Sequence, residues 1–255
     1  EAEEIARDLV DLNQERKELT LQGVEMAKKL CEEGGYEKDP VLVLFLPDVH
    51  ESIAGLIAGR IREMYNRPVF VLTRGEEGVK GSGRSTENYS MYENMCGCAE
   101  LFTKFGGHPM AAGLSMAEEN IERFRKRLNE NCTLSEEDLI PTVMIDVPMP
   151  ISYLTETLIE ELKVLEPFGK GNTKPLFAQK NLCVSKLRIF GKNRNVAKMT
   201  LTDANGIWKD AVFFGEADEF AEFVSMHDTI SVTYYPEINE YQGRRTLQVV
   251  IRNYC

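Results

Sequence analysis

The side chains of this chain that could do chemistry are few, and they are set among glycines. Gly106-Gly107-His108 is followed at once by Pro109 and by Ala111-Ala112-Gly113. Two successive glycines let the backbone take positive φ and let a ligand approach main-chain N–H groups with no Cβ in the way. The run predicts an anion-cradling loop, beside which His108 can serve a phosphate oxygen as a neutral donor or as a cation. A tight turn carrying a structural histidine competes with that reading. Gly81-Ser82-Gly83-Arg84-Ser85 is the second such stretch. Small residues around one arginine leave its guanidinium reachable, and with a hydroxyl beside it the pair suits a phosphate oxygen. A solvated arginine on a bulged edge strand is the plainer alternative. Taken together, Ser82, Arg84, Gly106 and Gly107 are the expected phosphate-binding residues, with His108 next to them.

A different pattern occupies the last third of the chain. Lys186, Arg188, Lys192, Arg194 and Lys198 fall close to Phe190, while Tyr234, Tyr235, Tyr241, Arg244 and Arg245 flank a terminal hairpin. Aromatic faces with interleaved cations suit a single-stranded nucleic acid, which needs stacking platforms and phosphate partners. From this set Lys186, Arg188, Lys192, Arg194, Tyr241 and Arg244 are the expected nucleic-acid-binding residues. Ordinary strand formers with a solvated face would look the same, and Trp208 fits either a core or a platform. His50 follows the first buried strand, where α/β sheets bind ligands, although a lone histidine there also suits a structural role; His227 is assigned none. The sequence has no Asp-rich or His-rich cluster with metal-ligand spacing, no phosphate-binding lysine loop and no nucleophile elbow. The six cysteines are scattered and read as reduced thiols.

The formal net charge of -11 would disfavour a polyanionic partner, but the charge is unevenly spread. Residues 1–40 carry 6 basic and 12 acidic side chains and residues 131–169 carry 1 and 8, whereas residues 170–255 carry 12 against 9. The acid lies in the flanks and connector, and it is the local field that a polyanion meets. No apolar run approaches the roughly 20 residues of a membrane span. A soluble globular protein with no membrane partner is expected.

The elements that must position these residues follow from periodicity. Ile5, Leu12, Leu19 and Met26 recur every seven residues and predict a long amphipathic connector helix over 1–36. Residues 37–140 read as an α/β domain. Val41–Leu46 and Val69–Thr73 are buried strands joined by a helix that Ser52 can cap, which implies a parallel pair. Ser90 and Glu93 form a capping-box pattern for a helix through Phe102. Ala111–Met116 reads as a strand, and Ile121, Phe124 and Leu128 mark the inner face of a helix over Ala117–Asn131. Residues 141–175 read as a connecting strand, Thr142–Val147, and a helix, Ile151–Leu165. Residues 176–255 hold five predicted strands, Leu182–Ile189, Val196–Thr202, Ile207–Phe214, Thr229–Tyr235 and Thr246–Ile251, with a helix over Glu216–Met226 between the third and fourth. That order fits a small all-β barrel of the oligonucleotide-binding (OB-fold) type.

These motifs, in this order, resemble the RecJ family of bacterial single-strand-specific exonucleases over nearly the whole chain. The carriers are Asp11-Leu12-Asn13 with Arg16, His50 to Arg60, Gly81 to Ser85, Phe105 to Gly113, Leu165-Glu166-Pro167-Phe168-Gly169-Lys170-Gly171-Asn172, and Asn239 to Arg244. The Gly-Gly-His run alone belongs to the wider DHH-associated domain; the Pro-Phe-Gly-x-Gly-Asn connector and the trailing barrel narrow the resemblance to RecJ. The departures are Val49 where relatives usually have tryptophan, and Ser52 where they have glycine. The resemblance implies an α/β DHH-associated domain, a mixed sheet with flanking helices, followed by an all-β OB-fold barrel. It implies the C-terminal part of a 5′-to-3′ exonuclease on single-stranded DNA, acting in DNA repair and recombination in the cytoplasm, with other repair proteins as further partners. It also implies Mn or Mg held by a preceding DHH domain, no cofactor or metal in this part, and no hydrolysis by this part alone. By the same resemblance Ser82 and Arg84 would hold the DNA 5′-phosphate, and His108 would be the catalytic helper at the reacting phosphate. The rival readings are a non-enzymatic single-strand-binding module and a DHH-family phosphoesterase acting on short RNA or nucleotides.

Overall fold

The computed structural model describes residues 2–76, 78–169, 171–241 and 243–255, with the backbone alone at Glu37, Tyr241 and Arg244. Two compact units divide the chain, residues 1–142 and 143–255. Among the described residues no helix is long and apolar enough to cross a membrane.

The first unit is built on a five-stranded sheet. Its strands are β1 (Leu42–Phe45), β2 (Val69–Gly75), β3 (Gly78–Arg84), β4 (Phe102–His108) and β5 (Ala111–Met116), in spatial order β1-β2-β3-β5-β4. β1 and β2 are parallel and the rest antiparallel. Helix α1 (Ala2–Gly34) and helix α2 (Glu51–Tyr65) cover one face over β1 and β2, because Leu42, Leu44, Val69 and Val71 project there against Ile53, Ile57 and Ile61. Helix α3 (Met91–Cys96) and helix α4 (Ile121–Glu130) lie on the other face, where Val43, Phe70, Leu72 and Leu114 meet Met91, Met95, Phe124 and Leu128.

Several local expectations are corrected. The heptad stripe Ile5, Leu12, Leu19 and Met26 is exposed, and α1 buries Val24, Ala27 and Cys31 instead. The cap of α2 is His50 and not Ser52: the ring accepts from the Ser52 N–H at 3.2 Å. Ser90 does cap α3, but that helix ends at Gly97, and Phe102 goes into a strand where it packs on Phe105 and Phe124. The expected helix through Phe102 would forfeit that aromatic cluster. The expected loop Gly106-Gly107-His108 is the end of strand β4, paired with β5.

In the second unit, strands β7 (Phe177–Phe190), β8 (Val196–Thr202), β9 (Trp208–Phe214), β10 (Ile230–Tyr241) and β11 (Arg244–Tyr254) run β10-β11-β9-β8-β7, and a further β10–β7 pairing closes the ring. A two-residue strand, β6 (Val147–Pro148), flanks β7. The expected strand Thr142–Val147 shrinks to it because Val143 and Met144 have no neighbouring strand and are exposed. The expected helix Ile151–Leu165 is interrupted at Thr155. Ile151 and Leu154 are drawn into the core of the ring, and the Thr155 hydroxyl, accepting from the Leu158 N–H at 3.1 Å, starts helix α5 (Glu156–Leu162) afresh. Helix α6 (Ala217–Ser225) plugs the ring with Phe220, which stacks on Phe213 and meets Tyr254 edge-on. At Glu166-Pro167-Phe168-Gly169 the chain turns on itself, held by Asn172 Nδ2 donating to the Leu165 and Pro167 carbonyls at 2.8 and 3.0 Å. Lys170 of that motif and Gln242 of the last turn lie outside the described residues.

Candidate functional site

Register decides which residues of the first unit meet. Cross-strand partners project to one side of a sheet and alternate residues share a face. On the face that α2 half covers, Val69, Arg84, Ala111 and His108 form one row across β2, β3, β5 and β4. Val71, Ser82, Gly113 and Gly106 form the next, and Thr73, Lys80, Ser115 and Lys104 the third. Valines in the first two rows take the helix; beyond them the face is open and nearly without side chains at its centre. Ser82, Arg84, Gly106 and His108, singled out from separate motifs, therefore share one surface.

The two glycines of the Gly-Gly pair do different jobs. At Gly107, with φ +155, a Cβ would run into the Ala111 carbonyl oxygen and into Ala112, so the hairpin itself demands glycine. At Gly106 a Cβ would meet nothing within 4 Å, so glycine there leaves space above the sheet rather than relieving a clash. Gly106 belongs with Ser82 in a groove of about 530 Å³ that Lys80, Lys104, Gly113 and Ser115 also line. The hairpin alone therefore accounts for the glycine at Gly107, one of the residues expected to bind phosphate.

Arg84 turns toward α2. A Cβ at Gly55 would lie 2.7 Å from its Nη2, so the glycine makes room for the guanidinium. Nη1 donates to the Gly83 carbonyl at 2.8 Å, and Arg84 has no carboxylate partner among the described residues. It lines a second groove with Gly55, Gly59, Arg60 and Arg62, and Glu63, which lines the groove too, pairs with Arg60 at 3.8 Å and with Arg62 at 3.1 Å. Arg60 and Arg62 were not legible as site residues, since on a helix they read as a solvated face. His108 is exposed, and its Nδ1 accepts from the Met110 N–H at 3.3 Å. A nitrogen that accepts carries no proton, so the neutral ring has its proton on Nε2. His50 serves as the α2 cap, with Nδ1 also 2.7 Å from the Ser52 hydroxyl. Lys80 pairs with Glu51 at 2.6 Å, both side chains more than 40% exposed, an arrangement worth about 0.2–1 kcal/mol.

On the ring, strand β7 breaks its alternation between Ser185 and Arg188, where Lys186 takes φ +53. The bulge turns Leu187 and Ile189 inward and Arg188 and Phe190 outward. Register then aligns Arg188, Lys198, Val212, Val250 and Tyr235 in one row over β7, β8, β9, β11 and β10. Phe190, Val196 and Phe214 form the adjacent row. The Lys198 ammonium stands 5.7 Å from the Phe190 ring, and Lys174 and Arg252 stand 5.0 and 5.7 Å from Tyr235. Phe214 is 58% exposed, an aromatic that the sequence offered only as a strand former.

The expected residues do not all join this surface. Arg188 is in it, and Lys186 and Lys192 are exposed at the bulge and the following turn. Arg194 is committed elsewhere: Nε and Nη2 clasp both oxygens of Asp218 at 2.8 and 2.6 Å, holding that carboxyl below the ordinary carboxylate range. Tyr234 is wholly buried with its hydroxyl donating to the Met149 carbonyl at 2.7 Å, and burial pushes its pKa up. Arg245 pairs with Glu160 and Glu240. Tyr241 and Arg244 lie on β10 and β11, but their side chains are outside the described residues. No three His, Cys, Asp or Glu side chains cluster to hold a metal among the described residues, so no step through a divalent ion is derived for this chain.

Comparison with known proteins places both units. Residues 38–133 match the DHHA1 domain and residues 145–253 match the RecJ OB domain. The single-stranded-DNA-specific exonuclease RecJ of Bacillus subtilis is 32% identical over 99% of this chain and 32% of its own length. RecJ of Escherichia coli K12 is 31% identical over 99% of this chain and 45% of its own. The chain thus spans less than half the length of these relatives. A crystal structure of RecJ from Thermus thermophilus in complex with Mn2+ superposes with a TM-score of 0.78 and 26% identity, covering 97% of this chain and 35% of that one. The same protein solved with Mg2+ gives 0.77. A DHHA1 domain joined to a RecJ OB domain, with RecJ relatives matching from end to end, means that over the part it spans this chain belongs to the RecJ family.

Proposed function

We propose that this chain is the C-terminal part of a RecJ-like exonuclease that degrades single-stranded DNA from its 5′ end, acting in DNA repair and recombination. The observation that carries the reading is the half-covered sheet face, on which Ser82, Arg84 and His108 lie in adjacent rows over a floor of alanine and glycine. The Arg84 guanidinium, bound to no carboxylate among the described residues, holds the terminal 5′-phosphate with the Ser82 hydroxyl. His108, its Nδ1 engaged by the hairpin turn, offers the Nε2 proton to an oxygen of the reacting phosphate. The ring is an oligonucleotide-binding barrel whose outer rows, Arg188-Lys198-Tyr235 and Phe190-Phe214, bind the strand by stacking and charge. The divalent metals found with the Thermus thermophilus relative supply electrostatic activation of the phosphate when bound, and in this reading they sit on a DHH domain that precedes the chain.

The test is nucleotide release by the full-length protein in Mn2+, from single strands bearing a 5′-phosphate, a 5′-hydroxyl or a complementary partner. Release starting at the phosphorylated 5′ end, falling by about 10²–10⁴-fold in His108→Ala, is expected. Release that starts at the 3′ end, or none from a well-folded protein, contradicts the reading.

A further inference from the structure

Beyond Ser82 the same sheet face continues into a row that the terminal phosphate leaves unused. Thr73, Lys80, Ser115 and Lys104 are successive partners across β2, β3, β5 and β4. All four line the 530 Å³ groove, and Glu51 and Ser52, which begin the fifteen-residue helix α2, line it as well. The start of that helix brings the positive end of its dipole, although the Ser52 N–H is already taken by the His50 ring. Independently of that, Thr73 is wholly buried and its hydroxyl has no hydrogen-bond partner among the described residues. Thr73 forms part of the groove wall, with its hydroxyl closed off from the open side. Among the described residues the Ser82 and Ser115 hydroxyls are also unengaged, and Lys104 has no carboxylate partner. Among the described residues the one carboxylate lining the groove is Glu51, which is held by Lys80 at 2.6 Å.

We propose that this row binds a second phosphoryl group, next to the one held at Ser82 and Arg84, so that the site takes 5′-diphosphate ends. The proposal rests on the reading of Ser82 and Arg84 as holders of the terminal phosphate. Successive rows are two residues apart, roughly 6–7 Å along the strand, so a phosphoryl group bonded to the first falls within reach of the Lys80 and Lys104 side chains. Gly106 and Gly113 leave the floor open for it: a Cβ at either would meet nothing closer than 3.9 Å. Lys104 supplies an uncommitted charge, Ser115 supplies a hydroxyl, and Lys80 exchanges an exposed carboxylate for a phosphoryl oxygen. The diphosphate could belong to a free nucleotide or to the end of a strand.

The experiment is calorimetric titration of this chain with deoxyadenosine 5′-monophosphate and 5′-diphosphate, and with one oligonucleotide carrying either group at its 5′ end. The diphosphate is expected to bind about tenfold more tightly than the monophosphate, the effect of one or two charge-assisted hydrogen bonds. Lys104→Gln and Ser115→Ala remove that advantage and leave monophosphate binding unchanged, which also reports that the variants are folded. Lys126→Gln, on α4 at the opposite face, leaves the advantage intact, which separates the site from a general attraction to charge. Arg84→Gln weakens mono- and diphosphate alike, and if it does not, the terminal-phosphate reading fails while the Lys104 result still stands or falls on its own. An advantage seen with the nucleotide alone or with the oligonucleotide alone supports the site and assigns its source. Equal affinities, an advantage that survives Lys104→Gln and Ser115→Ala, or no binding of either nucleotide overturns the proposal.

Discussion

The two sheets of this protein present a polyanion with opposite surfaces. On β5 and β4 the open rows of the α/β sheet carry Ala111, Gly113, Ser115 and Gly106, and the charged groups Arg84, Lys80, Lys104 and His108 stand at the ends of those rows or beside them. Across the ring the rows carry Arg188, Lys198, Phe190, Phe214 and Tyr235, long or flat side chains with no small residue between them except valines. The first surface is a place for one group in one position, because a floor without side chains brings the ligand onto rigid backbone. The second suits a chain of repeating units, because every base has a face to stack and every phosphate a charge to meet. Removing side chains creates the first kind of site; adding them creates the second.

The widest gap between the surfaces should show in how they tolerate a methyl group. Gly107→Ala forces a Cβ against the Ala111 carbonyl in the hairpin and should cost about 1–3 kcal/mol of stability in thermal or denaturant unfolding. Gly106→Ala meets no atom and should stay within about 0.5 kcal/mol of the parent, while weakening phosphate binding by filling the floor. If the two alanines destabilise equally, the division of labour between the glycines is wrong.

On the ring, Phe214→Ala should cost oligonucleotide binding about 1–3 kcal/mol per unstacked base and leave the preference for a 5′-phosphate untouched. Replacing Arg188 and Lys198 together by glutamine should flatten the dependence of log K on log salt by about 0.7 for each phosphate left without its cation. Titration at several salt concentrations measures both. Arg194→Gln, by contrast, should leave the slope nearly unchanged, since that guanidinium is clasped by Asp218.

The smallest effect belongs to that clasp. Hydrogen bonds from Arg194 hold the Asp218 carboxyl below its ordinary range. A lowered carboxyl contributes stability above its unfolded pKa, near 4, and loses it as pH falls through the lowered value. Asp218→Asn should therefore lower the Tm slightly at pH 7, with the difference fading below about pH 4. A difference that grows on acidification would mean that the pair does not couple to folding.

Much of the architecture was legible because burial imposes its period on the chain. Val41–Leu46 and Val69–Thr73 had to be strands covered on both sides, and β8 and β9 were bounded almost to the residue by turn signals such as Asn205-Gly206. What failed did so where two local signals competed. Nothing in Gly106-Gly107-His108 announces a strand, since glycine weakens strands; pairing with Ala111-Ala112-Gly113 is what stabilises it. Thr155 cut the expected helix because its hydroxyl caps a new one. The candidate site was legible as residue types but not as a surface. Register joins Ser82, Arg84 and His108, and no spacing in the sequence states that β5 lies between β3 and β4. Phe214 and Arg252 were hidden for the same reason, as their importance comes from strands adjacent only in the ring. Arg194 shows the converse, a cation in a suggestive cluster whose partner, Asp218, lies 24 residues away.

The central claim is that the open face of the α/β sheet recognises a strand's terminal phosphate. Its most direct measure is fluorescence titration of this chain with one single-stranded oligonucleotide bearing either a 5′-phosphate or a 5′-hydroxyl, for the parent and for Arg84→Gln. The account predicts a preference for the phosphate of roughly tenfold or more, as charge-assisted contacts provide, and its loss in Arg84→Gln with hydroxyl-ended binding unchanged. Equal affinity for the two ends in the parent, or a preference that persists without Arg84, would contradict it.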